Sequence, residues 1–185
     1  MRVIGGKFRS RVLRSLPGTD IRPTADRLRE TLFNVLTAGN PDQLEGTAWI
    51  DLFAGTGAVG IEAISRGAAK VHFVESSAAA VGVIHQNLKS LGIDSEGEVL
   101  QQDVMRALPK LGGWPADFVF LDPPYRLEAA YQQTLELLAQ SPLVSEKTIV
   151  IAEHQKRFDP GGEIGKLKRY RTLTQGDAAL SLYRF

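Results

Sequence analysis

From residue 48 onward, short apolar runs alternate with longer stretches whose apolar positions recur every three or four residues. The runs predict strands near Ala48–Leu52, Lys70–Glu75, Glu98–Gln101, Asp117–Leu121 and Thr148–Ala152, and the stretches predict helices near Gly60–Arg66, Ala78–Leu91 and Leu127–Ala139. Near-continuous apolar strands alternating with helices specify an α/β fold built on a parallel sheet. The alternation then stops. Two further runs, Leu167–Leu173 and Ala179–Tyr183, follow without a helix between them, so an antiparallel hairpin should end a mostly parallel, seven-stranded sheet.

The chain before this region reads differently. Two short strands, Arg2–Ile4 and Arg11–Leu13, are joined through Gly5-Gly6, and Pro17-Gly18 turns the chain. A helix follows, with Thr24 as its N-cap and Ala25, Leu28, Leu32, Val35 and Leu36 at helical spacing, until Gly39 stops it. The expected organisation is a basic hairpin-and-helix extension over residues 1–40 and an α/β domain over 41–185. With 185 residues and 43% hydrophobic content the chain fills one core and leaves no room for a separate specificity domain.

Charge changes this picture more by its distribution than by its total of +1. Arg2, Lys7, Arg9, Arg11, Arg14 and Arg22 precede the first helix against one acid, Asp20, and Arg27 and Arg29 follow. Such a segment neutralises phosphates, so Arg2, Lys7, Arg9, Arg11, Arg22 and Arg27 are expected to contact RNA. Gly5, Gly6 and Phe8 among them suggest backbone that lies close against a partner. A second basic cluster, Lys166, Lys168, Arg169 and Arg171, reads as a solvated face. The absence of Cys excludes a disulfide scaffold, a thiolate metal site and a cysteine nucleophile. His72, His85 and His154 have no partner at metal-ligand spacing, so no metal is expected. No stretch approaches the roughly 18 apolar residues of a membrane span, and the first ten residues lack an apolar signal region, which predicts a soluble, cytoplasmic protein.

Candidate chemistry concentrates at strand ends. Asp122-Pro123-Pro124-Tyr125 directly follows the apolar run Phe118–Leu121. The two prolines remove backbone donors, so the turn offers a ligand oxygen: a carboxylate, rigid carbonyls and an aromatic face. That set suits a planar amine, such as the exocyclic amino group of a nucleobase. Asp122 accepts from one N–H, a proline carbonyl from the other, and Tyr125 stacks on the ring.

Asp51-Leu52-Phe53-Ala54-Gly55-Thr56-Gly57 lies at the first strand-to-helix turn. Gly55, Gly57 and Gly60 satisfy the dinucleotide pattern G-x-G-x-x-G, but Asp51 stands four residues before the first glycine and would repel a pyrophosphate. A cofactor with a cationic centre and an ammonium group is better placed there, which points to S-adenosylmethionine. Glu75 ends the second strand, where a carboxylate can accept from both ribose hydroxyls. Asp103 follows the third, where it can accept from an adenine amino group beside Val104. Acids thus stand past the C-terminal ends of four successive strands, the edge at which open α/β sheets bind ligands.

These motifs, with Arg2-Val3-Ile4-Gly5-Gly6-Lys7 and the block from Arg22 to Asn34, resemble a class I S-adenosylmethionine-dependent methyltransferase of Rossmann-like fold, and more closely the RsmD family of small-subunit ribosomal RNA guanine-N2 methyltransferases. The resemblance runs nearly end to end. It implies transfer of a methyl group from S-adenosylmethionine to a guanine N2 amine in 16S ribosomal RNA, free or in a small-subunit particle, by a protein expected to be monomeric. It places Asp51, Phe53, Gly55 and Gly57 around the methionine part, Glu75 at the ribose, Asp103 and Val104 at the adenine, and Asp122, Pro123, Pro124 and Tyr125 at the target amine. An adenine-N6 methyltransferase shares the Asp-Pro-Pro-Tyr turn and remains open, as do a nicotinamide-dependent oxidoreductase and a non-catalytic RNA-binding module.

Overall fold

The computed structural model describes residues 1–16 and 23–185; the Pro17-Gly18 turn and Arg22 lie outside them, as does the side chain of Thr24. Helix α1 (Pro23–Leu36) places Leu28, Leu32 and Phe33 in the core at the predicted spacing. Five parallel strands follow, β1 (Ala48–Leu52), β2 (Lys70–Glu75), β3 (Gly97–Gln101), β4 (Phe118–Leu121) and β5 (Ile149–Gln155). Helices α2 (Ala58–Ser65), α3 (Ala78–Leu91), α4 (Val104–Ala107) and α5 (Glu128–Gln140) connect them. The chain ends with β6 (Glu163–Ile164), β7 (Leu167–Gln175) and β8 (Ala178–Arg184), all antiparallel, in a sheet ordered β3-β2-β1-β4-β5-β8-β7-β6.

The pattern predicts seven strands and the sheet has an eighth. Strand β6 pairs only Glu163 with Lys168 and Ile164 with Leu167, too few residues to leave a periodic signal. Helix α4 escapes prediction for the same reason.

Strand alternation gives the sheet two different faces. Trp49, Phe73, Phe118, Phe120 and Ile151 join Leu28, Leu32, Ile61, Ile84 and Leu88 in one apolar cluster, under α1, α2 and α3. Ile50, Leu52, Val74, Val119, Leu121, Val150 and Ala152 join Val104, Tyr131, Leu135 and Leu138 in the other, under α4 and α5. Burial on both faces explains why β1 and β4 read as unbroken apolar runs apart from Asp51.

The N-terminal hairpin carries one bridge, between Arg2 and Val12, and closes with Val3 N–H donating to Arg11 O at 3.0 Å, Ser10 N–H to Val3 O at 2.8 Å and Leu13 N–H to Met1 O at 3.1 Å, while its turn bonds to α2. The N–H groups of Ile4 and Gly5 each donate to the Glu62 carboxylate at 2.8 Å, Lys7 N–H donates to Ser65 O at 2.6 Å, and Phe8 N–H donates to Ser65 Oγ at 3.0 Å. Gly6 has φ 73°, and a Cβ there would lie 1.8 Å from Ser65 O. Gly5, Gly6 and Phe8 therefore lay the arm on α2 of the same chain, which accounts for them without an external partner.

Candidate active site at the carboxyl ends of the strands

Strands β1 and β4 are neighbours, while β2 and β3 extend from one side of the pair and β5 from the other. The order reverses between them, and a crevice opens at such a point at the C-terminal ends of the strands. Leu52 pairs with Leu121 there, so the Asp51 loop and the Asp122 turn emerge side by side.

Asp51 is buried, and its Oδ2 accepts from Gly60 N–H at 2.9 Å, at the start of α2. Burial above all pushes its carboxyl up to about 8; the charges of Asp122 and Glu75 act the same way and the Gly60 bond opposes them. The glycines that follow have separate tasks. Gly57, at φ 76°, is the left-handed N-cap of α2. Gly60 permits close packing, since a Cβ there would lie 2.3 Å from Phe73 Cε1. Gly55, at φ 55°, faces open space, with Phe53 O at 4.0 Å the nearest atom to an added Cβ. Phe53 itself has φ 58°, rare for a bulky side chain and a sign of strain at the loop entry.

Glu75 reaches back to this loop. Its Oε2 accepts from Gly55 N–H at 2.8 Å and its Oε1 from Ser77 N–H at 2.7 Å. The backbone donors of Gly55 and Gly60 are therefore held by carboxylates and cannot cradle a pyrophosphate, which removes the physical basis of the dinucleotide alternative. Asp103, just past β3, caps α4 by accepting from Met105 N–H at 3.0 Å, and Val104 is buried in the second apolar cluster.

In the Asp122 turn, Pro123 O accepts from Tyr131 Oη at 3.3 Å and Pro124 O from Leu127 N–H at 2.7 Å. Each carbonyl keeps a second lone pair for a ligand. Burial pushes the Asp122 carboxyl up to about 7. Tyr125 beside it is half-buried. Two site neighbours escaped the motif reading: Tyr131, which fixes the Pro123 carbonyl from α5, and Glu153, near the end of β5. The signal for Glu153 is positional: it is an acid near the end of the fifth parallel strand, as Asp51, Glu75, Asp103 and Asp122 are at the other four.

Of the basic residues expected to meet RNA, Arg2, Lys7, Arg9, Arg11 and Arg27 are exposed, and Arg22 lies outside the described residues. Arg11 Nη2 donates to Ser90 O at 3.3 Å, tying the arm to α3. Arg29 differs from them: it is buried, donating to Arg2 O at 2.7 Å and to Asp26 at 3.1 Å. Among the described residues no group of three or more His, Cys, Asp or Glu is placed to hold a metal ion, and no helix is long and apolar enough to cross a membrane.

The reversed parallel sheet, its antiparallel end and the acidic glycine loop at the reversal define a class I S-adenosylmethionine-dependent methyltransferase. The sequence is 35% identical over 158 residues to the ribosomal RNA small subunit methyltransferase D of Haemophilus influenzae, covering 84% of this chain and 79% of that one. It is 32% identical over 184 residues to the Escherichia coli protein of the same description, covering 100% and 89%. The solved structure of a candidate methyltransferase, yhhF from Escherichia coli, superimposes with a TM-score of 0.82 at 32% identity, covering 100% of this chain and 97% of the other. The chain belongs to the family of these small-subunit methyltransferase D proteins, and a family model described as conserved hypothetical protein 95 matches residues 1–184.

Proposed function

We propose that the protein methylates the exocyclic N2 amine of a guanine in small-subunit ribosomal RNA. The observation that carries this reading is the juxtaposition, at the β1–β4 reversal, of the Asp122-Pro123-Pro124-Tyr125 turn and the open face of Gly55. The similarity to two small-subunit ribosomal RNA methyltransferases supports RNA as the substrate, and the resemblance of the Arg22–Asn34 block supports guanine.

The residues present fit S-adenosylmethionine by their donor and acceptor chemistry. Gly55 leaves space against the backbone, Asp51 supplies a carboxyl that a bound cation draws back to its charged form, and Glu75 and Asp103 are acids at the same carboxyl end of the sheet as Asp51 and Asp122. In this reading Asp51, Phe53, Gly55 and Gly57 surround the methionine part, Glu75 faces the ribose, and Asp103 and Val104 border the adenine. When bound, S-adenosylmethionine supplies a methyl group on a cationic sulfur.

The chain's own contribution is to hold and polarise the amine. A guanine amine has its lone pair delocalised into the ring, and acceptors out of the ring plane help to free it. Asp122 and the Pro123 carbonyl take its two N–H groups and stabilise the positive charge that grows on nitrogen. Tyr125 stacks on the base, recovering part of the few kcal/mol that unstacking requires. Arg2, Lys7, Arg9, Arg11 and Arg27 on the exposed arm supply phosphate contacts. No covalent intermediate on the protein is needed, because positioning near about 3–3.5 Å suffices for in-line transfer.

The test is labelled methyl transfer to small-subunit particles from a strain lacking the protein, followed by nucleoside analysis. N2-methylguanosine is the expected product. N6-methyladenosine in its place would overturn the guanine assignment.

A further inference from the structure

Glu153 stands next to Asp122, and no role above uses it. β4 and β5 are parallel, with Leu121 opposite Ala152, so Asp122, just past β4, and Glu153, on β5, are the residues that follow that pair. Neighbouring parallel strands lie about 4.8 Å apart. Phe120 and Ile151 face the same apolar cluster, and two residues on, Asp122 and Glu153 continue that face. Two carboxyls therefore stand side by side at the edge where the base enters.

Their bonding sets them apart from the other acids on this side of the fold. Asp51, Glu62, Glu75 and Asp103 each accept from a backbone N–H of the same chain. Asp122 and Glu153 have no side-chain hydrogen bond or ion pair among the described residues. Arg29 attracts Glu153, yet its Nη2 is spent on Arg2 O and Asp26. Burial first, and the Asp122 charge next, raise the Glu153 carboxyl well above the ordinary range. Two adjacent half-buried carboxyls disfavour each other's charged form, and an outside donor pair relieves this.

Guanine has that pair. Its N1–H and N2 amine are adjacent donors on one edge, whereas adenine puts an acceptor, N1, beside its N6 amine. We propose that Glu153 is a specificity-determining residue which accepts the guanine N1–H while Asp122 accepts one N–H of the target amine. Against adenine the raised Glu153 carboxyl keeps its proton and donates it to the N1 lone pair, which draws electron density out of the amine, so the second acid selects guanine where the Asp-Pro-Pro-Tyr turn alone does not. This inference rests on guanine N2 as the target.

The test uses 2-aminopurine, which keeps the N2 amine but has an acceptor at N1. Small-subunit particles are reconstituted with guanine or 2-aminopurine at the position that the wild-type protein modifies, and kcat/KM is measured for wild type and Glu153→Gln. The wild-type protein should prefer guanine by about tenfold or more, in line with the loss of one paired donor. Glu153→Gln, whose amide still accepts the guanine N1–H but donates to a ring nitrogen more weakly than a carboxyl, should bring the preference within about threefold, with S-adenosylhomocysteine affinity unchanged. Equal wild-type rates on the two bases overturn the proposal whatever the variant does, and so does a variant that keeps the wild-type preference. Failure of the wild-type protein to form N2-methylguanosine overturns the target assignment itself, and the role of Glu153 with it.

Discussion

Glu75 and Gly55, twenty residues apart, are joined by a 2.8 Å hydrogen bond from the loop N–H to the strand-end carboxylate. The second oxygen of Glu75 is held by Ser77 N–H at 2.7 Å. The acid assigned to the ribose is thus also a clamp on the loop assigned to the methionine part, and both ends of the cofactor site share one side chain. Glu75→Ala should lower S-adenosylhomocysteine affinity by about tenfold or more, since two backbone donors lose their acceptor along with the ribose contact. Isothermal titration calorimetry measures this, and wild-type affinity in the variant would remove Glu75 from the site.

Asp122 is assigned to the amine and not to the cofactor. Asp122→Ala should reduce methyl transfer by about a hundredfold or more while S-adenosylhomocysteine affinity stays within about threefold of wild type. The two measurements together locate the residue: a loss of affinity equal to the loss of rate would move it to the cofactor side.

The Asp51 carboxyl, raised to about 8, makes stability depend on pH with a definite sign. The folded protein keeps a proton there that the unfolded chain releases near pH 4, so between about 4 and 8 the folded state binds more protons and stability falls as pH rises. Above the folded value no further loss arises from this group. Asp51→Asn removes the titration. Its stability relative to wild type should therefore increase steadily from pH 5 to pH 8 in urea unfolding. A difference that stays flat over this range would show that the Asp51 carboxyl is not raised.

Glu62 links the arm, α2 and α1. It accepts from Ile4 and Gly5 N–H, pairs with Arg66 at 2.7 Å and lies 3.9 Å from Arg29 Nε. Glu62→Ala leaves the Arg66 guanidinium and two backbone donors without their acceptor and takes a nearby charge from buried Arg29, a loss of about 3–5 kcal/mol on the scale of broken buried ion pairs. Denaturant unfolding should show it, together with faster tryptic cleavage of the arm at Arg9 and Arg11.

The exposed arm is assigned to RNA through phosphate contacts. Lys7→Glu with Arg9→Glu should weaken binding to small-subunit particles and flatten its dependence on salt, since each phosphate contact adds about 0.7–0.9 to the slope of log affinity against log salt. Cofactor affinity should not move. An unchanged salt slope would place the RNA on another face of the protein.

Much of this was readable along the chain because strands and helices carry their periods locally. The five parallel strands coincide closely with their apolar runs, and the Asp51 and Asp122 motifs fall at strand ends as the alternation predicts. The two-residue β6 and four-residue α4 were not readable, since neither is long enough to express a period. The arm shows a subtler limit. Its glycines and charges look alike in the sequence, yet Gly6 serves a contact with Ser65 O within the chain, and Arg29, counted with the basic residues, is buried among acids.

Residue order alone determined the class of architecture, the acid before the glycine loop and the acceptor-only turn at residues 122–125, because each depends on neighbours a few positions apart. Which residues meet was decided by the tertiary structure. Strand pairing sets Glu153 beside Asp122, thirty-one residues earlier, and brings Glu75 onto Gly55, while packing buries Asp51 enough to raise its carboxyl. The physical reason is range: propensity and alternation act along the chain, whereas burial and charge act through space, between residues whose distance is set only when the sheet closes.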